Sequence, residues 1–272
     1  MLFASDLDST LVYPARTQPS DQATEAAEYR DGQVLTCASS ELPAALAELA
    51  GAGVTLIPVT ARSRSMLDAL APFRGTRIAV TAAGGRIWRD GEPLADWDRE
   101  LRRLLDGAAT CAQARTALAA GFAGESWIIG ELVIDDSWVI LLAPHDKLPA
   151  DAEPRARQLL ADLGWTAYGH GRKLYCIPAE LRKETALRWL VARLGADLVA
   201  AAGDSEMDVG LLGLAPVAFC PAGSSLASSS LRPAHTRVTS APCAAAGPEI
   251  LRAVAALTST RSGVVAPAAK GD

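Results

Sequence analysis

The chain has 272 residues, half of them hydrophobic and 21% charged, enough to bury one large core or a core and a smaller second one. Its net charge of −5 makes neither nucleic acid nor an anionic membrane surface a natural partner. No apolar run reaches the roughly 18 residues of a membrane helix, and the early Asp6 and Asp8 exclude a signal peptide. The five cysteines (Cys37, Cys111, Cys176, Cys220, Cys243) show no CxxC or Cys/His spacing, which reads as reduced thiols in a cytoplasmic protein. The histidines (His145, His170, His235) are equally scattered, so no zinc site is expected.

Residues 1–5 read as a short buried strand ending in Asp6-Leu7-Asp8-Ser9-Thr10. In extended backbone the two carboxylates point to the same side. Two like charges that close require a cation or a shared proton, so the stretch suggests a metal-assisted site or a polar turn that caps the next helix. Residues 11–40 are a flap-like excursion, with turns at Pro14, Pro19 and Asp31-Gly32, a short helix expected over 21–30 and a short strand over 33–37. It is either a surface insertion or a gate over the preceding stretch.

A helix is expected over 40–50, a strand over 54–59 ending in Thr60-Ala61-Arg62, a helix over 63–70 and a strand over 77–81. This alternation predicts a parallel sheet with crossover helices, in which ligands bind at the carboxyl ends of strands. The pattern then changes. A hairpin around Asp90-Gly91, a long helix over 98–120, a hairpin through Asp135-Asp136, a helix over 151–163 and a pairing of 166–168 with 173–176 predict an α+β insert. Five of the six tryptophans fall in it, as core or as cleft residues. The alternation resumes with a helix over 182–194, a strand over 198–202 ending in Gly203-Asp204-Ser205-Glu206-Met207-Asp208, a short helix, a strand over 216–220, a Gly-Ser-rich loop and a helix over 248–257. The remainder, 258–272, reads as a disordered tail.

Four segments stand out: Asp6–Thr10, Thr60–Arg62, Lys183 and Gly203–Asp208. Their residue types and order resemble the four motifs of the haloacid dehalogenase superfamily. The fold implied is α/β, a Rossmann-like parallel-sheet core formed by 1–85 and 175–257, with an α+β cap domain inserted at 86–174. The resemblance implies a Mg-dependent phosphatase that forms an aspartyl-phosphate. Asp6 would be nucleophile and metal ligand, and Asp8 general acid/base and ligand through its backbone oxygen. Asp204 would complete the Mg site, with Asp208 supporting it or binding through water. Thr60 would hydrogen-bond a phosphoryl oxygen and Lys183 neutralise its charge. Arg62, Ser9, Thr10 and Gly84 are candidate substrate contacts.

Other readings stand beside these. Thr60 fits a helix N-cap, Lys183 a solvated lysine with Lys173 as rival, Asp208 a first-turn helix residue, and Arg62 a surface arginine. The insert's position matches the large caps of sugar-phosphate and mannosyl-3-phosphoglycerate phosphatases, but Ala83 stands where such proteins often have Asn. The expected partner is a small phosphorylated metabolite, bound by a monomer or homodimer. A phosphomutase of the same fold and a non-catalytic phospholigand-binding module are the rivals.

Overall fold

The structure is a computed structural model, described here for residues 1–144 and 148–262. His145 and the tail beyond Ser262 lie outside the described residues. The chain divides into two units. One comprises Met1–Ile57, Gly195–Asp204 and the chain from Leu212 onward; the other comprises Pro58–Leu194 and Ser205–Leu211.

The first unit opens with β1 (Leu2–Ser5), β2 (Tyr13–Pro14), the hairpin β3 (Thr24–Arg30) and β4 (Gln33–Ser39), α1 (Leu42–Gly51) and β5 (Thr55–Pro58). The helix expected over 21–30 is therefore a strand. Asp31 and Gly32 both take left-handed backbone (φ 52° and 76°), the two-residue turn whose twist matches paired strands. It aligns Arg30 with Gln33, and this pairing overrides the helix preference of the Ala and Glu residues in the segment. Tyr13 and Pro14 of β2 pair with Cys37 and Thr36 of β4, tying the hairpin to the chain that leaves the Asp6–Thr10 stretch.

The second unit starts with α2 (Arg64–Asp68), β6 (Ile78–Thr81), β7 (Arg86–Arg89) and β8 (Glu92–Pro93). β6 was expected as the third strand of the parallel sheet. It belongs instead to an antiparallel sheet of order β6-β7-β8, and touches the chain after β5 through one parallel bridge, Val59 to Val80. Next come α3 (Ala95–Leu104) and α4 (Cys111–Gly121), where one long helix was expected. Left-handed Gly107 ends the first, and Thr110 starts the second with a capping box to Gln113. The hairpin β9 (Gly130–Ile134) and β10 (Trp138–Leu142), α5 (Ala152–Leu160), β11 (Trp165–His170) and β12 (Lys173–Pro178) follow, forming an antiparallel sheet of order β11-β12-β10-β9. α6 (Lys183–Leu194) closes the run.

The chain then adds β13 (Leu198–Ala202), α7 (Val209–Leu214), β14 (Ala218–Ala222), β15 (Thr236–Pro242) and α8 (Ala246–Ser262). β15 is a strand that the sequence reading did not anticipate. α8 continues through 258–262, the start of the expected tail, with no Gly or Pro after Pro248 to interrupt it. The sheet of the first unit has the order β15-β14-β13-β1-β5, with parallel β1/β13, β13/β14 and β14/β15 pairs. Every residue of β1 is buried, as a central parallel strand requires, and α1 packs on α8 with Leu42, Leu49, Ile250, Leu251 and Val254 buried. Each such side chain contributes about 1.5–3 kcal/mol of burial. No helix among the described residues is long and apolar enough to cross a membrane.

Candidate active site

The β1–β13 ladder extends one residue past the strand. Asp6 N–H donates to the Ala202 carbonyl at 2.9 Å, which places Asp6 at the carboxyl end of β1. The chain then turns sharply. The Leu7 carbonyl accepts the amides of Thr10, Leu11 and Val12 (3.1, 2.9 and 2.9 Å), while Ser9 sits in left-handed backbone and donates to the Val12 carbonyl at 2.7 Å. Three donors on Leu7 occupy that oxygen. The Thr10 hydroxyl reaches Asp6 Oδ2 at 3.4 Å, a long contact, and the buried Tyr13 hydroxyl donates to the Thr10 carbonyl at 3.1 Å. Burial pushes the Tyr13 phenol well above its usual range, and the nearby Asp204, Cys243 and Asp6 charges add to the effect.

Asp204 lies two residues past the end of the neighbouring β13. Its carbonyl accepts from Leu226 N–H at 2.9 Å and the Ser225 hydroxyl at 3.0 Å, which pins the loop. One carboxylate oxygen from each of Asp6, Asp204 and Asp208 lies within 4.8 Å of the others, and all three residues are buried. Three buried carboxylates that close repel one another. Oxygen ligands of hard character at this spacing suit a single divalent cation such as Mg, so the donor set fits the expected metal.

Asp208 is also held from the protein side. Its Oδ2 accepts from the amide and hydroxyl of Ser205 (3.1 and 3.0 Å), and its Oδ1 accepts Lys183 Nζ at 2.7 Å. Lys183 is 4% exposed and Asp208 is fully buried. Lys183 therefore occupies the first turn of α6, where the helix dipole disfavours a cation, because a buried carboxylate compensates it. Lys173, the rival, lies on β12 with its ammonium 5.9 Å from the Tyr175 ring.

Thr60 is not the N-cap of α2. That role falls to Ser63, whose hydroxyl accepts the Met66 amide at 3.3 Å. The fully buried Thr60 hydroxyl accepts the Arg62 amide at 3.1 Å, leaving its proton to donate elsewhere. Arg62 is not a surface residue: it is 8% exposed, and its guanidinium donates to the Met66 carbonyl at 3.2 Å. The segment after β6 docks on this loop, with Ala82 N–H on the Arg62 carbonyl (2.7 Å) and Ala83 N–H on the Thr60 carbonyl (2.9 Å). Ala82, Ala83 and Gly84 all have positive φ (51°, 58° and 106°). A Cβ on Gly84 would lie 2.6 Å from the Arg182 carbonyl, so glycine there permits close approach to the start of α6.

No family model and no curated protein matches the chain. Solved structures do match in fold. The sucrose-phosphatase of Synechocystis, solved with sucrose and phosphate, is 14% identical with a TM-score of 0.62 over 93% of this chain and 97% of that one. A subclass IIB sugar phosphatase of the haloacid dehalogenase superfamily is 12% identical with a TM-score of 0.61 over 97% and 99%. A trehalose-6-phosphate phosphatase related protein is 16% identical with a TM-score of 0.57 over 96% and 100%. The chain has the haloacid dehalogenase fold.

On the haloacid dehalogenase fold, the first and fourth motif segments follow β1 and β13, which are paired neighbours. Three contributors to the site went unnoticed in the sequence. Ser205, three residues before Asp208, forms a capping box with it, a spacing that was readable. Tyr13 carries no local signal. The third is a set of indole donors on the segment 81–84: Trp88 Nε1 to the Thr81 hydroxyl (2.8 Å), Trp138 Nε1 to the Ala82 carbonyl (3.1 Å) and Trp97 Nε1 to the Gly84 carbonyl (2.9 Å).

Proposed function

We propose that this protein is a Mg-dependent phosphatase that hydrolyses a small phosphorylated metabolite, a sugar phosphate or phosphoglycerate derivative, through an aspartyl-phosphate on Asp6. The observation that carries this reading is the buried Asp6, Asp204 and Asp208 carboxylates within 4.8 Å of one another, accompanied by the buried Lys183. Similarity in fold to proteins described as sucrose-phosphatase and sugar phosphatase supports the substrate class.

Asp6 attacks phosphorus and Asp8 gives a proton to the leaving oxygen, releasing the alcohol. Asp8 then takes a proton from water, whose oxygen attacks the aspartyl-phosphate and frees inorganic phosphate together with the Asp6 carboxylate. The Thr60 hydroxyl donates to a phosphoryl oxygen, and Lys183 offsets the charge on the equatorial oxygens. Asp6, the Asp8 backbone oxygen and Asp204 would hold Mg, which when bound would neutralise phosphoryl charge. Asp208 supports that set by anchoring Lys183. Arg62, Ser9 and Thr10 border the substrate. Residues 86–174 act as the cap that excludes water over a core made of 1–85 and 175–257.

The test is phosphate release from a panel of sugar phosphates with Mg or with a chelator. Release that requires Mg and falls roughly a thousandfold or more in Asp6→Asn supports the reading. Full activity in Asp6→Asn, or turnover of none of the panel, refutes it. Release only in the presence of a sugar bisphosphate, with phosphoryl return to the sugar, would identify a mutase instead.

A further inference from the structure

Four observations converge on the turn 82–85, which the proposed chemistry does not use. Three consecutive residues, Ala82, Ala83 and Gly84, have positive φ, and two of them carry a Cβ. Left-handed backbone is unfavourable for a residue with a Cβ, so the turn persists only if its surroundings hold it. Its amides grip the Thr60 and Arg62 carbonyls. Its glycine packs against the Arg182 carbonyl, one residue before Lys183. Finally, two tryptophans remote in sequence donate to it, Trp97 to the Gly84 carbonyl and Trp138 to the Ala82 carbonyl, both at least 99% buried. A buried indole N–H needs an acceptor, and a strained turn needs restraint; each satisfies the other.

We propose that Trp97 and Trp138 are positioning residues: their indole N–H groups lock the 82–85 turn, and the locked turn fixes Thr60 and the start of α6, with Lys183, in a single arrangement. The effect on turnover rests on the phosphatase reading above. Neither tryptophan is placed against the substrate. Both belong to the segment 86–174, so the lock also makes the integrity of that segment a condition for an ordered Thr60 loop.

The test uses Trp138→Phe and Trp97→Phe in the full chain, with two readouts. Amide hydrogen exchange at Ala82 and Ala83 reads the lock without any turnover, and in the variants it is expected to be faster there than in the wild type while the buried β1 amides keep their rate. Steady-state kinetics with p-nitrophenyl phosphate and Mg reads the consequence, with kcat expected to fall about tenfold and KM to change less than twofold. Adding Ala83→Gly, which relieves the left-handed strain, should restore at least threefold of the kcat lost in Trp138→Phe. A general packing defect would not be rescued in this way. Unchanged exchange at 82–83, or kcat within twofold of wild type, overturns the proposal. If the wild-type protein turns over no phosphate ester, the phosphatase reading fails while the exchange experiment still decides the lock.

Discussion

The Lys183–Asp208 pair gives a quantitative test of how the site is held together. Nζ and Oδ1 lie 2.7 Å apart, with the side chains 4% and 0% exposed. At an effective dielectric near 20 their attraction is about 6 kcal/mol. Desolvation takes several kcal/mol per ion, so the intact pair is close to neutral in net stability. Removing one partner is different, because the other charge stays buried: Asp208→Asn should cost about 4 kcal/mol. In a Lys183→Met background Asp208 is itself a buried charge without that cation, so the same change relieves the penalty, offsets the weakened bonds to Ser205 and should be close to neutral, about 0 kcal/mol. The expected coupling is therefore about 4 kcal/mol. Equilibrium urea unfolding of the four proteins in chelator measures it, since bound metal would mask the difference. Both residues lie in the same unit, so one unfolding transition reports both. A coupling below about 0.5 kcal/mol would refute the buried-pair argument.

Gly84→Ala should destabilise by about 3 kcal/mol, because the new Cβ meets backbone at 2.6 Å with φ at +106°. Gly91→Ala, with φ at +90° but open space around it, should cost about 1 kcal/mol, and equal thermal shifts would contradict the packing argument. The Arg64 guanidinium, bonded to both Asp68 oxygens at 2.8 and 3.0 Å, holds that carboxyl below its ordinary value of 3.8. A depressed pKa contributes stability above the unfolded value that is lost as pH falls through the folded one. Asp68→Asn should thus cost about 0.5–1 kcal/mol at pH 7 for this part-exposed pair, and progressively less below pH 3.8; an equal cost at pH 7 and pH 3 would contradict this. Burial pushes the Cys176 thiol up to about 12, so iodoacetamide at pH 8 should label it only after unfolding, while the part-exposed Cys111 and Cys243 react in the native protein.

The elements that carry the candidate site were legible where they depend on residues close in sequence. Asp6 and Asp8, the Gly203–Asp208 loop and the strands before them carry their own apolar runs and punctuation. What depends on distant partners was not. Asp21–Arg30 has the composition of a helix, and only the Asp31-Gly32 turn and its pairing with β4 make a strand of it. β6 reads like its parallel neighbours, yet its ladder runs to β7, with only a bridge at Val80 to the chain after β5. The break at Gly107 hid inside a long helical pattern, and β15 followed a loop rich in Gly and Ser. The tryptophans were visible as a cluster, but their acceptors lie as far as 56 residues away, between Ala82 and Trp138.

That cluster has an optical consequence. Of six tryptophans, three send their indole N–H groups to residues 81–84, and a fourth, Trp189, packs edge-on to Trp97 with ring centroids 5.4 Å apart. Four of the protein's six tryptophans thus lie around one turn. Any event that loosens it will change the hydrogen bonding and polarity at those rings together, shifting the spectrum without an attached label. The protein carries its own fluorescent gauge next to the Thr60 loop.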